Sequence, residues 1–577
     1  MTDGCALKKR GAVRRNARLV IAACLVVTAM PVRVFAIDTV GSQLEAIRKR
    51  EKIKWEEPKA AQIIDEQPLP MPQPVEGEKA FLVKTINIEG NTVIPLKDLR
   101  VFVADCEGKE VTFTQLQAAA TAITNFYRLK GYVTSAAYFP PQKIEEGTVT
   151  IRIMEGKIDK IMVEGNRWFR TALIQKGVKQ KQGDVLNYQK LENSLVKLNL
   201  HPDRQTSAVL IPGVQPETSD VVLKVKDKFP LHVGYSFDNL GTRLSGKLRQ
   251  GFSLKDTNFL TLDDIMYAKA IVSDRHDLVG AVTDYQLPLH NGYGTRAGFN
   301  FSWIRSELGK ELKFAKLIGE ASTFVPSIIQ PLYESQYLDA EMVNSFNLKD
   351  SKSKVFGEYV YFDSIRSWTF AMNLTEKDRW GRLYLGNEFN CGFGGLLGAS
   401  TQHDQTSRPG VGGQFVHWDV DWMRVNRCFF ETMLIYRGSL QVAQTQLLPA
   451  EQIRLGGAET IRGYPEGEYL GDYGFYQNVE LRVPPYFLPK DFYITGTKKS
   501  WRDAIQLVHF IDVGKGFLYE HQEVERSTMM MAGTGMGLRV SFLDYINARF
   551  DWAWPIGDRP ISSSPKPRFH FSLNVEY

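Results

Sequence analysis

The sequence predicts two small α+β domains followed by a transmembrane antiparallel β-barrel of about sixteen strands. Three observations predict this architecture. An internal repeat near the N-terminus echoes Ile86–Asn91 in Ile161–Asn166. A long C-terminal region alternates apolar and polar residues with a period of two. The first 36 residues have the pattern of an export signal.

The export signal consists of a basic start, an apolar run from Leu19 to Val32, and small residues that end at Ala36. We expect residues 1–36 to be a signal peptide. A membrane anchor is the alternative, but the run is only about fourteen residues long and contains Pro31. The stretch Ile21–Cys24 also loosely resembles a lipidation box, so lipoprotein processing is a second alternative.

Composition excludes several classes of protein. The 577 residues are 43% apolar and 24% charged, which argues against a disordered or collagenous chain. Of the 71 basic and 65 acidic residues, the signal peptide holds seven and one, so 64 of each remain and overall charge gives no support for a nucleic-acid partner. Of the five cysteines, three lie after the signal peptide, and their scattered positions argue against a disulfide framework, although a single bridge between Cys391 and Cys428 stays an alternative.

The segment after the signal peptide predicts an N-terminal arm. Residues 37–56 contain a short, highly charged helix with a thin apolar stripe, which we interpret as a plug or a mobile arm. Residues 57–78 are rich in proline and predict a stiff, extended linker.

The repeat predicts two α+β domains, at residues 79–156 and 157–228. Each copy reads as a strand ended by Gly-Asn, then helices, then two strands. In the first copy we expect a helix at Phe113–Tyr127 and strands at Tyr132–Phe139 and Thr148–Met154.

The region 229–577 predicts the barrel. Its segments place apolar side chains on one face and polar, often charged, side chains on the other, as strands between lipid and an aqueous lumen require. A large soluble sandwich also alternates, but it rarely carries so many aromatic residues at strand ends. About 20–22 residues for each strand and its connection give about sixteen strands.

Sites for chemistry are absent from the sequence patterns. We find no phosphate-binding loop, no paired histidines at metal-ligand spacing and no nucleophile elbow. The glycine-rich stretch Gly533–Gly537 begins an alternating strand, and we interpret it as small residues that make room inside the barrel. The sequence therefore predicts no enzyme activity, no catalytic residue, no metal site and no cofactor.

Two short segments suggest an interaction inside the barrel. Arg454–Tyr464 is a glycine-rich loop between strands, which by itself could be an ordinary surface loop. Phe510–Gly514 lies in a strand whose alternation separates Phe510 and Asp512 from Ile511 and Val513. A carboxylate facing lipid is costly, so we expect Asp512 to face the lumen and to pair with Arg462.

At these residues the sequence resembles a known family. The segments Phe81–Ile86, Glu89–Asn91, Tyr127–Tyr132, Tyr138–Gln142 and Ile151–Gly156 are similar to polypeptide-transport-associated (POTRA) domains of the haemolysin activation/secretion type, found in two-partner secretion transporters. The resemblance implies that the sixth extracellular loop folds into the barrel and meets a strand motif. The loop residues are Ile461, Arg462, Gly463 and Tyr464, and the strand residues are Phe510, Asp512 and Gly514.

The resemblance also implies a function. It implies an outer-membrane protein with periplasmic N-terminal domains that binds one large, unfolded, haemolysin- or adhesin-like β-helical exoprotein and exports it through its barrel without ATP. We expect a monomer in contact with outer-membrane lipid. An assembly factor for other outer-membrane barrels is the main alternative, and a passive porin is a weaker one.

We further expect the client to add to the edge of a sheet in the first α+β domain. An exposed strand edge offers main-chain hydrogen bonds to an extended chain. The candidate client-binding residues are Tyr132, Thr134 and Tyr138, on the predicted strand beside the helix Phe113–Tyr127.

Overall fold

The computed structural model describes residues 78–577, except residues 145–146, 336, 496–498, 522–524 and 544. The predicted signal peptide, the predicted plug helix and residues 57–77 of the predicted linker lie outside the described residues. The described chain divides into two compact units. One contains residues 78–231 and 256–266, and the other contains the remaining residues.

The first α+β domain packs helices against a small mixed sheet. Its central strand β5 (Thr148–Met154) pairs in parallel with β2 (Thr85–Glu89) and antiparallel with β4 (Ala136–Tyr138). The long helix α2 (Phe113–Leu129) is capped by Thr112, whose side chain accepts a hydrogen bond from the backbone N–H of Gln115. Its apolar face buries Leu116 and Ile123 in the domain core. The elements are β1 (Phe81–Val83), β2 (Thr85–Glu89), α1 (Leu96–Arg100), β3 (Lys109–Val111), α2 (Phe113–Leu129), β4 (Ala136–Tyr138) and β5 (Thr148–Met154).

The strand predicted at Tyr132–Phe139 is wrong in its extent. Strand β4 is three residues long, and Tyr132 and Thr134 lie in the turn before it. The backbone N–H of Tyr132 donates to the carbonyl oxygen of Tyr127, at the end of α2. This bond and Gly131, at φ +87°, close the C-terminal end of the helix, so local helix capping overrides the alternating pattern.

The second domain repeats the design of the first. Its sheet has β8 (Thr218–Asp227) in the centre, parallel to β6 (Lys157–Glu164) on one side and antiparallel to β7 (Arg204–Pro212) on the other. Gly90 and Gly165 occupy equivalent turns at φ +90° and +85°, and a Cβ at either would collide with a carbonyl oxygen of the neighbouring strand. The next residues, Asn91 and Asn166, each donate a side-chain hydrogen bond to a carbonyl three residues later. The elements are β6 (Lys157–Glu164), α3 (Thr171–Gly177), α4 (Tyr188–Leu198), β7 (Arg204–Pro212) and β8 (Thr218–Asp227).

The second unit is a barrel. Within the described residues, sixteen antiparallel strands close when β26 pairs with β9, which confirms the predicted fold. No helix of the described residues is long and apolar enough to span a bilayer. A short helix, α5 (Trp501–Ala504), precedes β23 (Ile505–Phe517). The strands β20 (Ile453–Leu455) and β21 (Tyr469–Gly471) pair only with each other, as a separate two-stranded sheet that is not part of the barrel wall. The barrel strands are β9 (Leu231–Asp238), β10 (Arg249–Asp256), β11 (Ile265–Ser273), β12 (Leu278–Pro288), β13 (Arg296–Glu307), β14 (Ile318–Glu334), β15 (Leu338–Val355), β16 (Glu358–Lys377), β17 (Gly381–Gly392), β18 (Phe415–Arg427), β19 (Met433–Ala443), β22 (Tyr473–Val483), β23 (Ile505–Phe517), β24 (Thr528–Phe542), β25 (Ile546–Pro555) and β26 (Arg568–Glu576).

The barrel strands have one buried and one exposed face. In β23, Asp512 is fully buried whereas its neighbour Ile511 is 51% exposed. In β18, His417 is buried whereas Trp418 is exposed. Because side chains alternate along a strand, the buried charged groups face the lumen and the exposed apolar groups face outward.

Cys391 and Cys428 are free thiols in the structure. The disulfide between them, which the sequence allowed as an alternative, is therefore absent. Cys391 lies near the end of β17 that pairs with Phe415. Cys428 follows the opposite end of the adjacent strand β18. The height of the barrel wall separates them, which is far beyond the reach of a disulfide.

Candidate functional site

The connection between β19 and β22, residues 444–472, folds back into the barrel lumen. Its two limbs pair as β20 and β21, with Ile453 opposite Gly471 and Leu455 opposite Tyr469. Beyond this hairpin lies a tip, residues 456–467, in which Arg462 is only 2% exposed. The tip contacts lumen-facing side chains of five strands, β19, β22, β23, β24 and β25.

At the centre of the tip, Arg462 and Asp512 form a bidentate ion pair. The Nε atom of Arg462 lies 2.7 Å from Oδ2 of Asp512, and Nη2 lies 2.7 Å from Oδ1. The backbone N–H of Arg462 also donates to Oδ2 of Asp512 at 3.0 Å. The guanidinium carbon lies 3.4 Å from the ring centre of Phe510, a close cation–π contact. Both the side chain and the backbone of Arg462 are therefore held by one strand motif.

Small residues allow this close approach. Gly463 has φ +93°, and a Cβ there would lie 2.8 Å from the backbone nitrogen of Pro555. A Cβ on Gly514 would lie 2.7 Å from the side chain of Ile461. Gly533 faces the carbonyl oxygen of Arg462. The glycine-rich stretch at 533–537 therefore leaves room for the loop, in agreement with its interpretation as space inside the barrel.

Apolar and polar contacts hold the rest of the tip. Ile461 and Tyr464 are buried in a cluster with Met529 and Met531 of β24. The hydroxyl of Tyr464 donates to the carbonyl oxygen of Asp558 at 2.8 Å. The structure thus brings together all the residues predicted for the lumenal motif, namely Ile461, Arg462, Gly463, Tyr464, Phe510, Asp512 and Gly514.

The ion pair belongs to a longer chain of alternating charges that the sequence reasoning missed. Arg462 Nη1 lies 2.8 Å from Glu480, which lies 2.9 Å from Arg539. Arg539 lies 2.7 Å from Asp551, and Asp551 lies 2.6 Å from Arg549. All of these partners project from β22, β24 and β25 into the lumen, where low exposure strengthens each contact.

The chain of charges returns to the loop through Glu459. One carboxylate oxygen of Glu459 lies 3.2 Å from Arg549 of β25, and the other lies 3.0 Å from Arg437 of β19. Glu459 therefore bridges two strands that three other strands separate in the barrel. Its signal in the sequence was weak, because a single acidic residue in a glycine-rich loop has no distinctive spacing.

The limbs of the loop have their own anchors. Glu451 lies 2.9 Å from Lys349 of β15 and 3.3 Å from His417 of β18. Asp472, which is fully buried, lies 2.6 Å from Arg408 and accepts a hydrogen bond from the backbone N–H of Tyr519. The loop is consequently attached to several parts of the barrel wall, and it can leave the lumen only if these contacts separate.

The candidate client-binding residues of the first domain do not share one strand. Tyr138 lies in β4 and is exposed, whereas Tyr132 stacks edge-on against Tyr127, with ring centres 6.0 Å apart. Thr134 lies beside Gly156, where a Cβ would collide with it. Of the three residues that the sequence predicts at this sheet edge, only Tyr138 therefore lies there.

The free edge of β4 is partly occupied by the domain itself. The backbone N–H of Ala137 donates to the hydroxyl of Thr124 in α2 at 2.9 Å. Because Ala137 is the middle residue of a three-residue strand, this bond engages a main-chain donor that an added strand would need.

In each soluble domain a carboxylate accepts several hydrogen bonds from backbone N–H groups, and in the first domain this carboxylate is buried. Glu155 accepts hydrogen bonds from the backbone N–H of Thr92 at 2.8 Å and of Val93 at 3.1 Å, and from the hydroxyl of Tyr127 at 2.8 Å. Burial opposes the charge of Glu155, but these hydrogen bonds outweigh it and lower the pKa of the carboxyl. In the second domain, Asp227 takes the same place and accepts three backbone N–H bonds from residues 167–169.

Comparison with known proteins agrees with this architecture. The ShlB-type POTRA domain model matches residues 81–156, and the model of the haemolysin secretion/activation proteins ShlB/FhaC/HecB matches residues 217–540. The outer membrane transporter CdiB of Dickeya dadantii is 23% identical over 82% of this chain and 83% of its own length. The heme/hemopexin transporter protein HuxB of Haemophilus influenzae is 22% identical over 85% and 86%.

A solved structure of CdiB from Escherichia coli has the same fold. It superposes with a TM-score of 0.67 at 20% identity, and the match covers 95% of this chain and 99% of that structure. Together with the closed barrel, these matches identify an outer-membrane transporter of two-partner secretion with periplasmic N-terminal domains. The chain belongs to the ShlB/FhaC/HecB family of haemolysin secretion/activation proteins.

Proposed function

We propose that this transporter exports one large exoprotein through the barrel lumen, and that the tip of loop 444–472 must leave its site on the barrel wall during export. The observation that carries the proposal is the bidentate contact of Arg462 with Asp512 inside the lumen. A loop held there by ionic contacts narrows the path of an unfolded chain. Because those contacts are hydrogen bonds and ion pairs rather than covalent links, a passing client can replace them.

The proposed client is a haemolysin- or adhesin-like protein that folds as a β-helix after it leaves the barrel. Folding outside the cell would favour outward movement, so the transporter itself would need neither ATP nor an active-site chemistry. We propose that the transporter acts as a monomer, since a single barrel provides the whole path.

The proposed domain organisation supports this mechanism. We assign residues 1–36 to the signal peptide, 37–56 to a plug, 57–78 to the linker, 79–156 and 157–228 to the two POTRA domains and 229–577 to the barrel. The plug is charged and suits an aqueous lumen. Deleting residues 37–56 should therefore raise the ion conductance of reconstituted protein, and unchanged conductance would place that segment outside the pore.

A cross-linking experiment tests the movement of the loop. Cys106, Cys391 and Cys428 are first replaced by Ser, and Glu459→Cys is combined with Arg437→Cys, so that a bifunctional maleimide can join the loop to β19. We expect the cross-linked transporter to lose secretion of its exoprotein client. The reacted single variant Glu459→Cys is the control. Full secretion by the cross-linked protein would show that export does not require the loop to move.

A further inference from the structure

The outer surface of strands β13–β16 shows where the apolar belt of the barrel ends. Outward-facing residues of neighbouring strands form rows, because the register places them side by side. One row contains Phe301, Phe324 and Leu348, and it is apolar. The adjacent outward-facing row, two residues away on each strand, contains Trp303, Ser322 and Asp350, so polar side chains begin at this level of the barrel.

The next row along the same strands is ionic. It aligns Arg305, Glu320, Lys352 and Phe362. Lys352 lies 3.0 Å from Glu320, and Arg305 lies 3.8 Å from the other oxygen of the same carboxylate. Two cations on different strands therefore flank one anion, and both keep a large exposed fraction, 50% for Arg305 and 38% for Lys352.

This row lies at the extracellular rim. The N-terminal domains are periplasmic in this family, so strands at odd places in the barrel order run outward, and β13 and β15 are the fifth and seventh. Arg305 and Lys352 are near the outer ends of these strands. They lie two rows, or about 13 Å along the strand, above the apolar row of Phe301.

Further cations and aromatic rings surround the row. The ammonium group of Lys354 lies 4.5 Å from the ring centre of Tyr359. Lys313 and Lys316, in the connection between β13 and β14, are exposed. The acidic groups nearby are Glu307, which shares a row with Lys354 across Ile318, Glu358 at the tip of the next hairpin, and Asp350, which lies one row closer to the apolar belt and pairs with Arg366. Among the side chains that the structure describes, Arg305, Lys313, Lys316, Lys352 and Lys354 therefore share this rim with four carboxylates, counting Glu320 and Asp350. The exposed rings are Phe314, Phe356, Tyr359 and Phe362.

We propose that this rim binds the phosphate groups of the phosphorylated glycolipid in the outer leaflet. The acyl chains of such a lipid would cover the apolar rows, and its sugar-linked phosphates would lie at the level of Arg305 and Lys352. Phosphate prefers guanidinium and ammonium donors. Aromatic rings at a membrane boundary accept both sugar and acyl surfaces. This inference depends only on the orientation of the barrel and is independent of how the client is exported.

The test compares lipid binding by full-length transporter in detergent micelles. Purified wild-type protein is titrated with bisphosphorylated lipid A and bound lipid is counted by native mass spectrometry. We expect Arg305→Gln/Lys352→Gln to weaken binding about tenfold or more, since two charge-assisted contacts are lost. Heat-modifiable migration on gels checks that each variant still forms the barrel.

The matched control is Lys515→Gln on β23. Lys515 also faces outward near the outer end of its strand and stacks on an aromatic ring, with its ammonium 4.9 Å from the ring centre of Phe517. It projects from a strand well separated from β13–β16 in the barrel order, so the control should bind lipid A like wild type.

Several results would overturn the proposal. Unchanged binding by the folded double variant would exclude these two cations. An equal loss in Lys515→Gln would indicate general charge attraction. Equally tight binding of phosphatidylglycerol would indicate a site for any anionic lipid, and displacement by inorganic phosphate alone would indicate a site for the free ion. Weak binding of dephosphorylated lipid A, in contrast, would support recognition through the phosphates.

Discussion

Arg462 and Asp512 are joined by three hydrogen bonds, two from the guanidinium group and one from the backbone N–H of Arg462. The carboxylate therefore determines the position of the loop backbone as well as that of the side chain. Both residues are almost completely buried, so neither charge can be satisfied by bulk water if its partner is removed.

The first prediction is that Arg462→Ala sharply reduces secretion while the barrel still forms. Removing Arg462 leaves Asp512 buried without its cation, at a cost of about 3–5 kcal/mol. The sixteen-strand sheet does not depend on the loop, so heat-modifiable gel migration should remain. Arg462→Lys is the control that keeps the charge but loses the bidentate geometry, and it should secrete at an intermediate level. Wild-type secretion by Arg462→Ala would contradict the role of the pair.

The second prediction concerns Glu459, which contacts both Arg437 and Arg549. Glu459→Gln keeps the shape of the side chain but removes the charge, and we expect more frequent opening events in single-channel recordings. This increase should be smaller than the increase that Arg462→Ala causes in the same recordings, because Glu459 is 32% exposed and water partly screens its ion pairs.

A double-mutant cycle separates this contact from general effects. Each variant changes the free energy of channel opening, which is calculated from the open probability. The changes caused by Glu459→Gln and Arg549→Gln should depart from additivity by about 0.5–3 kcal/mol in the double variant. Glu358→Gln, at an exposed hairpin tip, should not couple with Arg549→Gln. Additive effects of Glu459 and Arg549 would mean that the contact does not hold the loop.

The site residues that could be predicted are those marked by a short sequence motif. Arg462 and Asp512 could be identified because each lies in a short motif. In addition, a carboxylate that faces lipid is costly, so the alternation of β23 indicated that Asp512 faces the lumen. Glu480 and Arg539 also lie on alternating strands, but their contact depends on the register between strands, which a single sequence does not contain. The sixteen-strand barrel was predictable because alternation repeats over the whole region.

The first soluble domain shows the opposite limit. The repeat, the helix Phe113–Tyr127 and the strand Thr148–Met154 have clear local patterns, and the structure contains all three. The segment Tyr132–Phe139 alternates in the same way, yet half of it is a turn bonded to α2. Whether a short alternating segment joins a sheet therefore depends also on how the preceding helix ends, which the alternation itself does not indicate.

The third prediction concerns the pH dependence of the first domain. The pKa of Glu155 is lowered from its ordinary value of 4.5, so the ionised form stabilises the fold. This stabilisation is complete above the unfolded-state pKa and is lost as the pH falls through the lower folded-state pKa. Hydrogen exchange of the Thr92 and Val93 amides should therefore accelerate on acidification, after correction for intrinsic rates.

The variant Glu155→Gln provides the comparison. It cannot ionise, so we expect faster exchange of these amides at neutral pH and no further acceleration of this kind in acid. Asp227→Asn should have the corresponding effect on residues 167–169 and leave Thr92 and Val93 unchanged. Retained acid sensitivity in Glu155→Gln would assign the transition to another group.

The last prediction tests strand addition at β4. The hydroxyl of Thr124 accepts the hydrogen bond of the Ala137 N–H, so a client that pairs with this edge must displace it. Thr124→Val has nearly the same shape and removes the acceptor. In the variant, the Ala137 amide should exchange faster in the free protein and become protected when the N-terminal region of the client is added. Client affinity should rise by a few-fold. In the wild-type protein the client must break the hydrogen bond between Ala137 and Thr124, which is worth about 1 kcal/mol, and in the variant this cost is absent. Thr121→Val, which removes a hydroxyl bonded only to the preceding turn of α2, is the matched control and should bind as wild type does. Equal affinities for all three proteins, with no protection of Ala137, would show that the client binds elsewhere.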